Sequence, residues 1–225
     1  MTARFQADVK EKLSEFGFKK AVIYESIVST SNPDKTPNAA PMGIKLIDDK
    51  YLNLTIFNSS TTLQNLKTQK CAVINFTDDI EIFYKSAFKK TKLPNKNMAH
   101  WFVQAEFVEA PKLRVANLTL EVSVIDFKPL DTEKTKVTCK IEHTTSQSMH
   151  PQLYSRAATL TLEAVIHGTR IETYLNKPQK QTEIIQLMEK IHDCTDVVER
   201  VAPNSIYTTI LSDLQKQITL WRQKP

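Results

Sequence analysis

Glycine is scarce in this chain. Only Gly17, Gly43 and Gly168 occur among 225 residues. They lie too far apart for G-x-G-x-x-G or for a P-loop, which need glycines so that backbone amides can close on a phosphate. Loops of those types are excluded, and any phosphate bound here must be held by side chains or by a helix N-terminus. Cysteine is equally sparse. Cys71, Cys139 and Cys194 are odd in number, far apart and form no C-x-x-C pair, so neither a zinc knuckle nor a redox pair is written in the sequence. The expected setting is reducing and cytoplasmic, with inert thiols. His100, His143, His150, His167 and His192 form no H-x-x-x-H or H-E-x-x-H, and no metal site is expected. No G-x-S-x-G elbow occurs. No apolar run approaches the roughly 18 residues of a membrane helix. Met1–Lys20 mixes Asp8, Glu11 and Glu15 with Arg4, Lys10 and Lys12 and lacks an apolar h-region, so no secretory signal is expected.

What is present is ordinary globular composition, 41% hydrophobic and 24% charged, with a net charge of +5 from 30 basic and 25 acidic residues. The length suits one domain or one and a half. Phe5, Val9, Leu13 and Phe16 make one apolar stripe, a short helix stopped by Gly17. Strand patterns follow at Ala21–Thr30, Asn38–Ile47 and Tyr51–Phe57, separated by the turns Asn32–Pro37 and Asp48–Lys50, and predict a meander. Ser60–Lys67 reads as a helix capped by Ser60 or Thr61. Cys71–Phe76 reads as a buried strand, and Asp78 as the cap of a helix over Asp79–Phe88. A Lys-rich stretch runs from Lys85 to Lys96. Trp101–Glu109 and Leu113–Phe127, separated by Pro111, and then Lys134–His143 complete seven candidate strands, a small antiparallel barrel by pattern. The last third is helical: Leu153–Tyr174, then, after Pro178, Gln181–Asp193 and Ser205–Gln223. The expected organisation is an N-terminal helix (1–17), a barrel domain (18–146) and a C-terminal helical region (147–225).

Few segments carry chemistry. Asn38-Ala-Ala-Pro-Met-Gly43 places a proline inside a strand, where it cannot donate to a ladder, so the strand is either bulged or at an edge there. Ser59-Ser-Thr-Thr-Leu-Gln-Asn65 puts four hydroxyls at a helix N-terminus, beside free amides and the positive end of the dipole. It reads either as an anion site or as a cap with a polar turn. Asn75 reads as a turn partner at a strand end. Arg156, Glu163, His167 and Arg170 share one helical face, as a solvated ion-paired surface or as guanidinium groups aimed at a phosphate. Cys71 is buried by pattern and a poor nucleophile.

Four segments in order resemble a known family: Tyr24–Thr30 with Pro37–Gly43; Ser60–Leu66; Val73–Asp79 with Phe83; and Ser155-Arg-Ala157 followed by Glu163–Arg170. Together, from about Lys20 to Leu175, they are similar to the FMN-binding split-barrel family known as domain of unknown function four-four-seven, found mostly in archaea and methylotrophic bacteria. The resemblance implies an α+β, mainly β fold: a split β-barrel of antiparallel Greek-key type, akin to flavin reductases and pyridoxamine-phosphate oxidases, with N- and C-terminal helices. It also implies FMN as cofactor, and a homodimer with FMN at or near the subunit interface. By the same resemblance Ser60, Thr61, Thr62 and Asn65 face the phosphate and ribityl chain. Ala40, Pro41 and Met42 offer backbone groups to the isoalloxazine ring, Asn75 contacts the flavin, and Arg156 joins from the first long helix. Relatives often carry a basic residue at the slot of Thr61 and an aromatic one at Leu63. The missing cation removes a charge-assisted contact worth roughly 1.5–3 kcal/mol.

The expected function is that of an FMN-binding flavoprotein, an oxidoreductase of unassigned substrate and electron donor. The flavin carries the redox chemistry, which suits a chain without an acid–base dyad. A flavin-binding module without turnover is the alternative. A barrel that binds nucleic acid through Lys85–Lys96 ranks behind both, and no membrane partner is expected.

Overall fold

The structure, a computed structural model, describes Leu13 and residues 16–87, 98–147 and 153–223. It divides into two compact units, Met1–Tyr154 and Ser155–Pro225. Most of the expected first helix, Lys89–Lys96 of the Lys-rich stretch, and Pro151 lie outside the described residues. The expected stop of that helix does not. Gly17 takes φ of 77°, and the Phe18 N–H donates back to the Leu13 carbonyl at 3.2 Å, the six-to-one bond that ends a helix through a left-handed residue.

The first unit is a closed antiparallel barrel. Its strands are β1 (Ile23–Ser31), β2 (Pro37–Leu46), β3 (Tyr51–Phe57), β4 (Cys71–Phe76), β7 (Leu118–Pro129) and β8 (Lys134–Ser146), in the order β1-β2-β3-β8-β7-β4. Helix α1 (Thr61–Gln69) joins β3 to β4, and α2 (Ile80–Ala87) follows β4. The meander β1-β2-β3 forms as its alternation predicts. β4 then returns beside β1, giving the spatial order 4-1-2-3 of a Greek key. Val28, Ile44, Leu52, Leu54, Ile56, Ile74, Leu118, Leu120, Val137 and Cys139 fill the core and are each at most 1% exposed.

Two expectations need correction. Trp101–Glu109 is not a barrel strand. Only β5 (Phe102–Gln104) forms there, and it pairs with β6 (Pro111–Leu113) in a separate two-stranded sheet. Pro111 is therefore not a separator but the first residue of a strand, where a missing N–H is tolerated. The reason lies in Glu121 of β7. Its side chain is fully buried and accepts from three successive backbone N–H groups, Glu106 at 3.0 Å, Phe107 at 2.6 Å and Val108 at 3.2 Å. Those amides wrap a carboxylate and are lost to any ladder. A register irregularity of the β7–β8 pair falls immediately after Glu121, where bulges re-aim side chains. The second correction is the α2 cap. Asp79 caps it, accepting from Glu81 N–H at 2.8 Å and Ile82 N–H at 3.3 Å. Asp78 instead accepts from Asn117 Nδ2.

The second unit holds three helices, α3 (Arg156–Tyr174), α4 (Gln181–Val201) and α5 (Ile206–Gln223). Ser155 caps α3, accepting from the Ala157 N–H. α4 runs past the expected end at Asp193, because Cys194, Thr195, Val198 and Val201 continue its buried stripe at helical spacing. Pro203 and Asn204, at φ 55°, then break the chain. The stripe Arg156–Glu163–His167–Arg170 is not wholly solvated. The His167 side chain is half-buried and its Nδ1 has no hydrogen-bond partner among the described residues. Burial, then Lys190, hold its pKa below the ordinary 6.5, against the opposing pull of Glu163. No helix among the described residues is long and apolar enough to cross a membrane.

Removing the Glu121 carboxylate takes the acceptor from three backbone amides in partly buried hydrogen bonds. Hydrogen bonds to a charged group are worth about 1.5–3 kcal/mol each, so Glu121→Leu is expected to cost about 3 kcal/mol or more, read as a lowered urea midpoint. For His167 the unfolded chain takes up its proton near 6.5 while the folded one resists it. Stability is therefore lost as pH falls below 6.5 until the depressed folded pKa is passed. In urea melts across that window, His167→Gln is expected to flatten the slope.

Candidate functional site

The site begins with a proline in a strand. β2 pairs with β1 along its length, from Ser31↔Pro37 to Ile23↔Lys45, without a register shift. The bulge reading of Pro41 therefore falls and the edge reading stands. On its other side β2 meets β3 only at Ile44↔Leu54, Lys45↔Asn53 and Leu46↔Leu52. Asn38 to Gly43 thus have a strand on one side and none among the described residues on the other. Their backbone groups on that side are offered to something other than a sheet. Ala40, Pro41, Met42 and Gly43 are all partly exposed. Gly43 has its own reason: a Cβ there would come within 2.6 Å of Ile23 Cγ2, so the close approach is that of a partly exposed side chain on the neighbouring strand. Met42 is fixed by Ser26 Oγ, which donates to its carbonyl at 2.9 Å.

At the Asn38 end of this open edge stands the N-terminus of α1. Ser60 is its cap, with an extended backbone and Oγ accepting from the Leu63 N–H at 3.1 Å. The Gln64 N–H takes the Ser60 carbonyl. The amides of Thr61 and Thr62, in the first turn, have no intrahelical acceptor. The first turn holds no acidic residue to repel an anion. The two readings of this segment are thus one object: the cap holds the turn that leaves the donors open.

The proposed contact residues do not stand alike. Ser60 is partly exposed and Thr61 exposed. Thr62 and Asn65 are 1% and 4% exposed and belong to a buried polar cluster that sequence reading missed. Asn38 Nδ2 donates to Thr30 Oγ1 at 2.9 Å and to Thr62 Oγ1 at 3.1 Å. Asn65 Nδ2 donates to Thr30 Oγ1 and to Asn32 Oδ1, both at 3.0 Å. The available signal was the run of polar residues Thr30, Asn32 and Asn38 flanking a β-turn beside two strands.

Asn75 is fully buried on the other flank of β1. Its Nδ2 donates to the Ile27 carbonyl at 2.8 Å, Ser29 Oγ at 2.9 Å and the Val73 carbonyl at 3.1 Å. Its Oδ1 accepts from the Leu113 N–H at 2.8 Å. That amide ties β1, β4 and β6 together through four hydrogen bonds within the protein. Arg156 opens α3 in the second unit.

The thiols offer no nucleophile. Burial pushes Cys139 up to about 12. Burial also raises Cys71, against a backbone hydrogen bond from Glu109, and raises Cys194, with Asp193 and Glu163 adding to it. What the arrangement can do is bind: a donor-rich helix end at one extremity and an open strand edge running from it. Five residue steps from Asn38 to Gly43 span about 17 Å.

Comparison with curated protein sequences finds no match. Among solved structures, the FMN-bound DUF447 protein of Methanosarcina mazei is similar over 91% of this chain and 98% of its own, at 20% identity and a TM-score of 0.51. Nitrilotriacetate monooxygenase component B from Bacillus cereus is similar over 72% of this chain and 88% of its own, at 13% identity and a TM-score of 0.51. Flavoredoxin of Desulfovibrio vulgaris is similar over 69% and 88%, at 11% identity and a TM-score of 0.50. At these identities the likeness is one of fold. The family model described as protein of unknown function (DUF447), N-terminal domain, matches residues 24–150, which take in the barrel, the open β2 edge and α1, and the chain belongs to this family.

Proposed function

We propose that the protein is an FMN-binding flavoprotein and an oxidoreductase, working as a cytoplasmic homodimer. The observation that carries this reading is the open edge of Ala40–Met42 running to the donor-rich N-terminus of α1. It offers an anion site at one end and, along a span of about 17 Å, a strand flank that no other strand among the described residues pairs. The name of the Methanosarcina mazei relative, an FMN-bound protein of the same family, supports the choice of ligand.

The donor set fits the group. Ser60 and Thr61 hydroxyls, with the amides of Thr61 and Thr62, would hold the phosphate. The missing cation at Thr61 fits a site that works through neutral donors and the helix dipole. Backbone groups of Ala40, Pro41 and Met42 would hold the ring. Thr62, Asn65 and Asn75 would stand behind these contacts. Arg156, the first residue of α3, is the cation that the family resemblance offers. When bound, FMN supplies the electron-transfer chemistry; the chain binds, orients and shields it.

Gel filtration of the purified chain incubated with FMN tests this. Flavin absorbance is expected to co-elute with protein at the mass of two 25.7 kDa chains. A colourless protein that retains no added FMN overturns the cofactor, and flavin on a single-chain species overturns the dimer. If the bound flavin is then not reduced by NADH or NADPH, nor by any other hydride donor screened, the reading of a flavin module without turnover replaces that of an oxidoreductase. Ser60→Ala removes the α1 cap. It is expected to cost about 1 kcal/mol of stability in urea melts, and to weaken FMN in a fluorescence titration.

A further inference from the structure

We infer that Thr30 and Asn38 are positioning residues for the phosphate end of this site; the inference rests on the flavin proposal above. Both are buried, Thr30 fully and Asn38 to within 5%, and neither would touch the ligand. They act through Thr62 and Asn65, which the family resemblance offered as direct contacts.

The geometry is that of a clamp. Asn38 is the first buried residue of β2, at the end of the open edge. One amide hydrogen of Asn38 goes to Thr30 on β1, and the other goes to Thr62 in the first turn of α1. Asn65, one turn further on, returns to the same Thr30 oxygen and to Asn32. Two strands and one helix end thus meet at Thr30 Oγ1, which accepts two N–H groups. The helix N-terminus is held against the start of the open edge by side chains alone, since α1 has no ladder to fix it.

The cluster also holds no carboxylate. The Thr30 and Thr62 oxygens accept amide hydrogens. A neutral polar cluster beside the positive end of a helix leaves no negative charge to oppose an anion there. A misplaced donor lengthens or bends its hydrogen bonds to the phosphate, and such bonds weaken steeply away from linear geometry. The position of α1 is therefore a matter of affinity as well as stability.

A helix pinned only for packing would affect all ligands alike. A positioned phosphate cradle affects only the ligand that carries phosphate. The test is a fluorescence titration of the flavin-free full-length chain with FMN and with riboflavin, the same molecule without its phosphate. Thr30→Val is expected to weaken FMN by roughly tenfold or more and to leave riboflavin within about twofold. Thr30→Ser, which keeps the hydroxyl, is expected to hold both within about twofold of the parent. If Thr30→Val lowers FMN and riboflavin by the same factor, or changes neither, the inference is overturned. Should that variant fail to fold, Asn32→Ala removes the outer acceptor of Asn65 at a partly exposed position, together with the exposed bond from Asn32 Nδ2 to Thr36 Oγ1. It is expected to lower the FMN-to-riboflavin affinity ratio by about threefold, and an unchanged ratio overturns the inference. Equal binding of FMN and riboflavin by the parent leaves the flavin reading standing and removes the phosphate cradle. A parent that binds neither flavin removes the flavin reading itself, and the inference with it.

Discussion

The ladder between β1 and β4 is three residue pairs long, Ile27↔Asn75, Val28↔Ile74 and Ser29↔Val73, and it closes the barrel. Six strands pair in sequence around the cylinder, but this seam joins the last to the first. So short a ladder supplies few backbone hydrogen bonds, and the Asn75 amide adds to them. It donates across the seam to Ile27 and Ser29, and accepts from Leu113 in the segment that covers the seam. A buried amide left without those partners would carry its full desolvation penalty. The Asn75 bonds therefore hold the seam and its cover as one assembly.

Closing the barrel at one seam leaves it free to open at another. β2 and β3 share only three pairs before they diverge, and the divergence falls where Pro41 removes a donor. α1 stands at one end of that gap, held by Thr30, Asn38, Thr62 and Asn65. Buried polar side chains are tolerated only when satisfied, and here each amide donor has an oxygen. The same bonds that make the burial acceptable also decide where the helix end points. Stability and a candidate binding geometry come from one set of contacts.

The cover over the β1–β4 seam is organised by a charge. Glu121 is buried beneath the turn before β6 and held by three backbone amides, with Lys112 Nζ 3.9 Å from its carboxylate. A carboxylate in that position specifies the path of a segment that has little regular structure of its own. It fixes the small β5–β6 sheet over Asn75, whose Oδ1 in turn binds Leu113. In the helical unit the corresponding constraint is apolar. The buried stripe of α4 is continuous from Ile184 to Val201, and polarity at Asp193 does not interrupt it, because that residue lies on the exposed face.

Local pattern and turn chemistry were enough to read the meander, the Ser60 cap, the Gly17 stop and the helical last third, because those features depend on residues close in the chain. The scarcity of glycine likewise pointed to side chains or a helix end, and Pro41 to a bulged or edge strand. Trp101–Glu109 read as a barrel strand because alternation alone cannot reveal that a carboxylate from β7 takes its amides. Asn75 read as a turn partner because its four partners come from β1, β4 and β6. The sequence by itself determined the strands of the meander, the helices of the last third, and which residues carry hydroxyls at a helix end. Only the tertiary structure decided that the edge of β2 is open, that Thr62 and Asn65 are buried behind Ser60 and Thr61, and that Thr30 and Asn38 hold them. Those facts are set by pairing register and by hydrogen bonds between residues 8 to 35 positions apart, which no local pattern encodes.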